Sequence, residues 1–83
     1  MVLNEYIPPT PEELRAILGS LGLTGAKAAE LVNVDSRTIR RWTGGDRKIP
    51  YQALFTLLLR SRNIYVTPDQ WRVEIKSLLS AKK

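Results

Sequence analysis

Leu14, Ile17, Leu18 and Leu21 recur at i, i+3, i+4 and i+7, which predicts a first helix with one buried face. Its start is marked by Thr10 and Glu13, spaced as a capping box, and by Pro11 in the first turn; Gly22 marks its end. Thr24 caps a short second helix, Gly25 to Val32, whose small pair Ala28 and Ala29 allows close packing. Asn33 suits a left-handed turn, Val34 points inward, and Asp35 or Ser36 caps a third helix running from Ser36 to about Thr43. Only Ile39 and Trp42 face inward on that helix, and Gly44-Gly45-Asp46 ends it.

Pro50 opens a fourth helix that is apolar nearly all round, through Ala53, Leu54, Phe55, Leu57, Leu58 and Leu59, as a central buried strut would be. Ile64-Tyr65-Val66 has strand composition but no partner strand, so it reads as a connector. Thr67 and Gln70 repeat the capping signal ahead of a fifth helix, whose stripe is Trp71, Ile75, Leu78 and Leu79 and whose end is the basic tail Lys82-Lys83. Residues 1–9, ending in Pro8-Pro9, lack periodicity and read as a flexible N-terminal arm. The expectation is an all-α chain of five helices, with residues 10–83 forming a single domain.

The chain has 83 residues, 43% hydrophobic and 25% charged, which suits one globular domain. A domain this small buries only roughly 60–65% of its unfolded surface, so a binding partner or a second copy would add stability. Cysteine and histidine are absent, which argues against disulfides, thiolate or imidazole catalysis and zinc binding; no cofactor, metal or small-molecule ligand is expected, and an enzyme is the least favoured class. The first residues carry no basic region followed by an apolar core, and no apolar run approaches the ~20 residues of a membrane span; a cytoplasmic address is the expectation.

Charge placement sharpens the picture. Between Ser36 and Arg62 lie seven cations, Arg37, Arg40, Arg41, Arg47, Lys48, Arg60 and Arg62, against the single acid Asp46. Such a block fits a polyanion-binding face, and a merely solvated face fits the charge alone equally well.

From Gly25 to Gly44 the pattern resembles the helix-turn-helix of the Cro and phage-repressor family, also called the XRE family. Ala29 is the small residue at the helix crossing, Asn33 holds the turn, and Val32, Val34, Ile39 and Trp42 form the inward set. Lys48-Ile49-Pro50 after Gly44-Gly45 resembles the following loop, so the likeness covers roughly residues 11 to 60. Asn33 stands where the family often has glycine, and Gly25 where it often has glutamine, leaving only a backbone N–H at that point.

The resemblance implies a compact lambda-repressor-like domain, with the helix-turn-helix at 24–43, that reads double-stranded DNA through the major groove. It further implies a transcriptional repressor or autoregulator of a phage, prophage or plasmid operon, including the anti-CRISPR-associated type. Base contacts fall to Ser36, Arg37 and Arg41, then Thr38 and Arg40, with phosphate the alternative partner of Arg40; arginine suits guanine because its planar fork matches O6 and N7. Phosphate contacts fall to Thr24, Gly25 and Lys27 on one side, and to Thr43, Arg47, Lys48, Tyr51 and Gln52 on the other. Tyr51 reads equally well as a partly packed aromatic, whereas the spacing of Trp42 from Ile39 places it in the core.

Trp71, Ile75, Leu78 and Leu79 have two readings. They close the core, or part of the stripe stays exposed as the contact of a homodimer on an inverted-repeat operator. A competing function is a protein-interaction module, such as an antitoxin, in which helix 5 and the arm grip a partner. RNA binding is disfavoured, since exposed aromatics for base stacking are lacking.

Overall fold

The computed structural model describes residues 5–81, with side chains through residue 79; the start of the expected arm, residues 1–4, and the tail at 82–83 lie outside the described residues. Six helices are present and no strand among the described residues: α1 (Pro11–Leu21), α2 (Gly25–Val32), α3 (Ser36–Gly44), α4 (Tyr51–Arg62), α5 (Trp71–Glu74) and α6 (Lys76–Ala81).

Local chemistry sets most of these limits. Thr10 Oγ1 accepts the Glu13 N–H at 3.1 Å, and Glu13 Oε1 accepts the Thr10 N–H at 2.9 Å, closing the capping box of α1. Thr24 caps α2 through the Lys27 N–H. Asp35 rather than Ser36 caps α3, its Oδ1 accepting both the N–H and the hydroxyl of Thr38. Asn33 (φ 60°) and Asn63 (φ 57°) end α2 and α4 in the left-handed conformation that asparagine tolerates.

One core runs through all of these elements. Leu14, Ile17, Leu18 and Leu21 of α1 meet Ala28 and Ala29 of α2, Ile39 and Trp42 of α3, and Leu54, Leu57 and Leu58 of α4. Ala28 and Ala29 are almost fully buried, so α3 and α4 can both lie close against α2. The fourth helix departs from the all-round buried strut: Phe55 and Leu59 are only half-buried. Ile64-Tyr65-Val66 is neither helix nor strand; Val66 is buried in the core, Ile64 packs half-buried against it, and Tyr65 is exposed.

Three expectations are corrected. The fifth helix is two pieces, because Ile75 leaves helical geometry (φ −105°, ψ 12°) and α6 turns to pack on α1. Thr67 is not its cap; the Thr67 N–H and hydroxyl donate to the Glu74 carboxylate, and Gln70 precedes α5 instead. The arm is docked over its described part: Tyr6 Oη donates to the Ile49 carbonyl at 2.7 Å, Trp71 Nε1 donates to the Ile7 carbonyl at 2.8 Å, and Pro9 is buried. Two part-buried donors are satisfied by that docking, which offsets the entropy of ordering a short segment.

Candidate nucleic-acid interface

The third helix divides by its 3.6-residue period into two faces. Ile39 and Trp42 enter the core, so Ser36, Arg37, Arg40 and Arg41 stand exposed on the other side. A helix packed by two apolar side chains and otherwise lined with arginine is built to present donors outward. Thr38 sits at the margin, half-buried, with its hydroxyl committed to Asp35 at 2.7 Å. Those Thr38 bonds, first the hydroxyl and then the N–H, hold the Asp35 carboxyl below the usual range, aided by nearby Arg37 and Arg41. The one acid at this end of the helix is thereby used up as a cap.

The loop after α3 returns against it. Gly45 takes φ 93°, and a side chain there would bring Cβ to 3.2 Å from Pro11 Cγ of α1, so the turn requires glycine. The Arg47 N–H donates to the Arg41 carbonyl at 3.2 Å, and Ile49 is buried, which anchors the loop at two points. Thr38, Arg41, Trp42, Arg47, Lys48 and Pro50 then line an open groove of about 360 Å³. Three cations from helix and loop therefore share one concavity.

Among the described residues, Arg37, Arg40, Arg41, Arg47 and Lys48 form no ion pair; the pairs present are Lys27 with Glu30 and Arg72 with Glu13. Cations clustered on one face without a salt-bridge partner create a positive field suited to a phosphodiester backbone. At the start of α2, Thr24, Gly25 and Lys27 are exposed, with Lys27 Nζ 3.4 Å from Glu30. A Cβ on Gly25 would meet Ile39 Cγ2 at 3.7 Å, an ordinary contact, so the missing side chain is not forced by space.

Several expected site residues are committed elsewhere. Tyr51 Oη donates to the Val66 carbonyl at 2.6 Å, and its ring lies between Tyr6 and Phe55; its one proton is spent inward, and Gln52 is the exposed polar side chain of that turn. The Thr43 hydroxyl donates to the Ile39 carbonyl at 3.1 Å, one turn back in its own helix. Arg60 and Arg62 leave the cationic block: they donate to the carbonyls of Leu31 and Ser20, in the last turns of α2 and α1, where positive charge meets the carbonyl end of a helix.

The stripe of the fifth helix also divides. Trp71 and Ile75 are 2% and 1% exposed, so they close the core and are not available to a second copy without unfolding. Leu78 and Leu79 remain half-buried, and Val73, which falls outside the helical spacing of the stripe, is 67% exposed. Arg72, Val73, Lys76 and Leu79 line a second open groove, of about 460 Å³. Arg15 was not expected to matter; its guanidinium donates to the Thr43 carbonyl and ties α1 to the end of α3, a contact with no local sequence signal.

No family model matches the chain. It is 50% identical over 53 residues to a protein of Escherichia coli named transcriptional repressor protein KorC, and 43% identical over 53 residues to a second Escherichia coli protein of the same name. Each match takes in 60% of this chain and spans 62% of the relative's length. No helix among the described residues is long and apolar enough to cross a membrane.

Proposed function

We propose that this protein is a transcriptional repressor that binds double-stranded DNA sequence-specifically, inserting α3 into the major groove. The observation that carries the reading is the exposed set Arg37, Arg40, Arg41, Arg47 and Lys48, none of them in a salt bridge, on a helix and loop packed through Ile39, Trp42 and Ile49. Similarity to two proteins named as transcriptional repressors supports it. Ser36, Arg37 and Arg40 face base edges. Arg41 lies where helix and loop meet, close to both bases and backbone, and Arg47 and Lys48 take phosphates. Thr24, the Gly25 N–H and Lys27 take the phosphates on the opposite side.

The reading extends to a homodimer on an inverted repeat within the protein's own operon. One short recognition helix spans few base pairs, and two-fold symmetry doubles what is read. Val73, Leu78 and Leu79 on α5 and α6 supply the contact, since Trp71 and Ile75 belong to the core.

Selection of bound duplexes from a random pool, followed by salt titration of the selected and a scrambled duplex, tests the proposal. The expected result is a single enriched palindrome, with steep salt dependence on both duplexes and much higher affinity for the first. Enrichment of no sequence would remove the specific reading.

A further inference from the structure

The loop that carries Arg47 and Lys48 makes few bonds of its own, yet one of its carbonyls is held from the far end of the chain. Ile49 O lies just ahead of α4, whose first backbone bonds go to Pro50 O instead, from the N–H groups of Ala53 and Leu54. The Tyr6 hydroxyl supplies the missing donor at 2.7 Å across 43 residues. The Tyr6 ring is set edge-on against Tyr51, with centroids 5.6 Å apart, and Tyr51 is itself tied to Val66. One residue on, the Ile7 carbonyl takes the Trp71 indole N–H, and Pro9 is buried before Thr10 caps α1. Residues 6–10 thus form a strap, fastened to the loop at one end and to α5 and α1 at the other.

From this arrangement we infer that Tyr6 is a positioning residue for the phosphate-contact loop, setting Arg47 and Lys48 through its bond to Ile49 O without touching DNA itself. The inference rests on the proposed DNA-binding role of that loop. Burial raises the Tyr6 pKa to about 12, so the hydroxyl keeps its proton, and its donor role, at any ordinary pH. Lys48 directly precedes Ile49 in the loop, so slack in that carbonyl passes to Lys48. Flexible cations lose more freedom on meeting a phosphate than held ones do, and affinity falls accordingly.

The test is Tyr6→Phe, which keeps the ring and its stacking and removes only the hydroxyl. Amide hydrogen exchange needs no DNA: the Arg47 N–H, bonded to Arg41 O, is expected to exchange faster in the variant, while core amides of α1 such as that of Leu18 keep their rates. Duplex affinity is expected to fall about 3- to 10-fold, the scale of one lost hydrogen bond. Lys48→Ala should then cost less affinity in the Tyr6→Phe background than alone, whereas Arg37→Ala should cost the same in both. Unchanged Arg47 exchange together with additive losses would overturn the inference, as would uniform acceleration of all amides, which is a loss of global stability only. A wild-type protein that binds no duplex would instead overturn the interface reading, with the strap still decided by Arg47 exchange.

Discussion

Arg72 reaches from the short helix α5 to Glu13 in the first turn of α1, with Nε 2.7 Å from Oε2 and Nη2 2.7 Å from Oε1. The pair joins residues 59 apart and leaves Arg72 over the Trp71 ring at 4.5 Å, so one guanidinium binds a carboxylate and covers a core aromatic.

Acid stability follows from that pair. The Arg72 bonds hold the Glu13 carboxyl down at about 2 instead of its usual 4.5, with smaller help from Thr10 and against some burial. A carboxyl whose pKa is depressed on folding stabilises the fold fully above its unfolded value, and that contribution disappears as pH falls from about 4.5 towards 2. Because the pair is partly exposed, its worth is about 1 kcal/mol rather than the full shift. Glu13→Gln preserves the capping-box acceptor while deleting the charge. Urea titrations from pH 6 to 2.5 should show wild type losing about 1 kcal/mol more than Glu13→Gln; parallel pH curves would deny the pair that role.

The two sides of the proposed DNA-contact face should separate by kind of loss. Arg37→Ala and Arg41→Ala are expected to cost about 1–3 kcal/mol of discrimination between the selected and a scrambled duplex, with helical circular dichroism unchanged. Lys48→Ala should weaken both duplexes alike and lower the slope of log affinity against log salt by about one. Equal slopes for Lys48→Ala and wild type would take Lys48 off the phosphate backbone.

Glycine requirements differ at the two ends of the motif. Gly45 combines φ 93° with a 3.2 Å approach to Pro11 Cγ, so Gly45→Ala should destabilise by about 1–3 kcal/mol. Gly25 has an ordinary helical conformation and open space beyond Ile39, so Gly25→Ala should hold or raise the melting temperature, as removing a helical glycine does. Thermal melts of the two variants would reverse this order if the loop could rearrange freely.

What was legible in the sequence is what local chemistry decides. Thr10 and Glu13, Thr24, Asn33 and Asp35 act within four residues of their partners, so spacing alone locates the helix limits and the outward face of α3. The failures share a cause. Tyr51 reads equally as a phosphate ligand or a packed aromatic until its hydroxyl meets Val66 O, and Arg60 and Arg62 look like part of a polyanion face until they meet the carbonyl ends of α2 and α1. The Pro-rich arm looks free until Tyr6 and Trp71 dock it. In each case the deciding partner lies 15 or more residues away, where periodicity carries no information. The break at Ile75 belongs with these: a stripe at helical spacing does not reveal that its first half is anchored to the arm and its second half turns to α1.

The proposed dimer should be tested on the surface that remains after the core is closed. Trp71→Asp would place a charge where only 2% of the side chain is exposed, so it should unfold the protein and say nothing about assembly. Val73 is 67% exposed and Leu79 half-buried beside the groove it shares with Arg72 and Lys76, so aspartate at either position costs the monomer little or modestly. Two protomers that join there and read one inverted repeat must set their α3 helices one DNA turn apart, about 34 Å, on half-sites centred roughly 10 base pairs apart or a multiple of that. Sedimentation with DNA titration is expected to give two wild-type protomers per inverted-repeat duplex. Val73→Asp should keep its helical signal, sediment as a monomer and bind the operator more weakly, because each protomer must then be held by its own half-site alone. A wild-type monomer that saturates an asymmetric duplex at one protein per site, with Val73→Asp and Leu79→Asp binding as tightly as wild type, would show that α5 and α6 make no such contact.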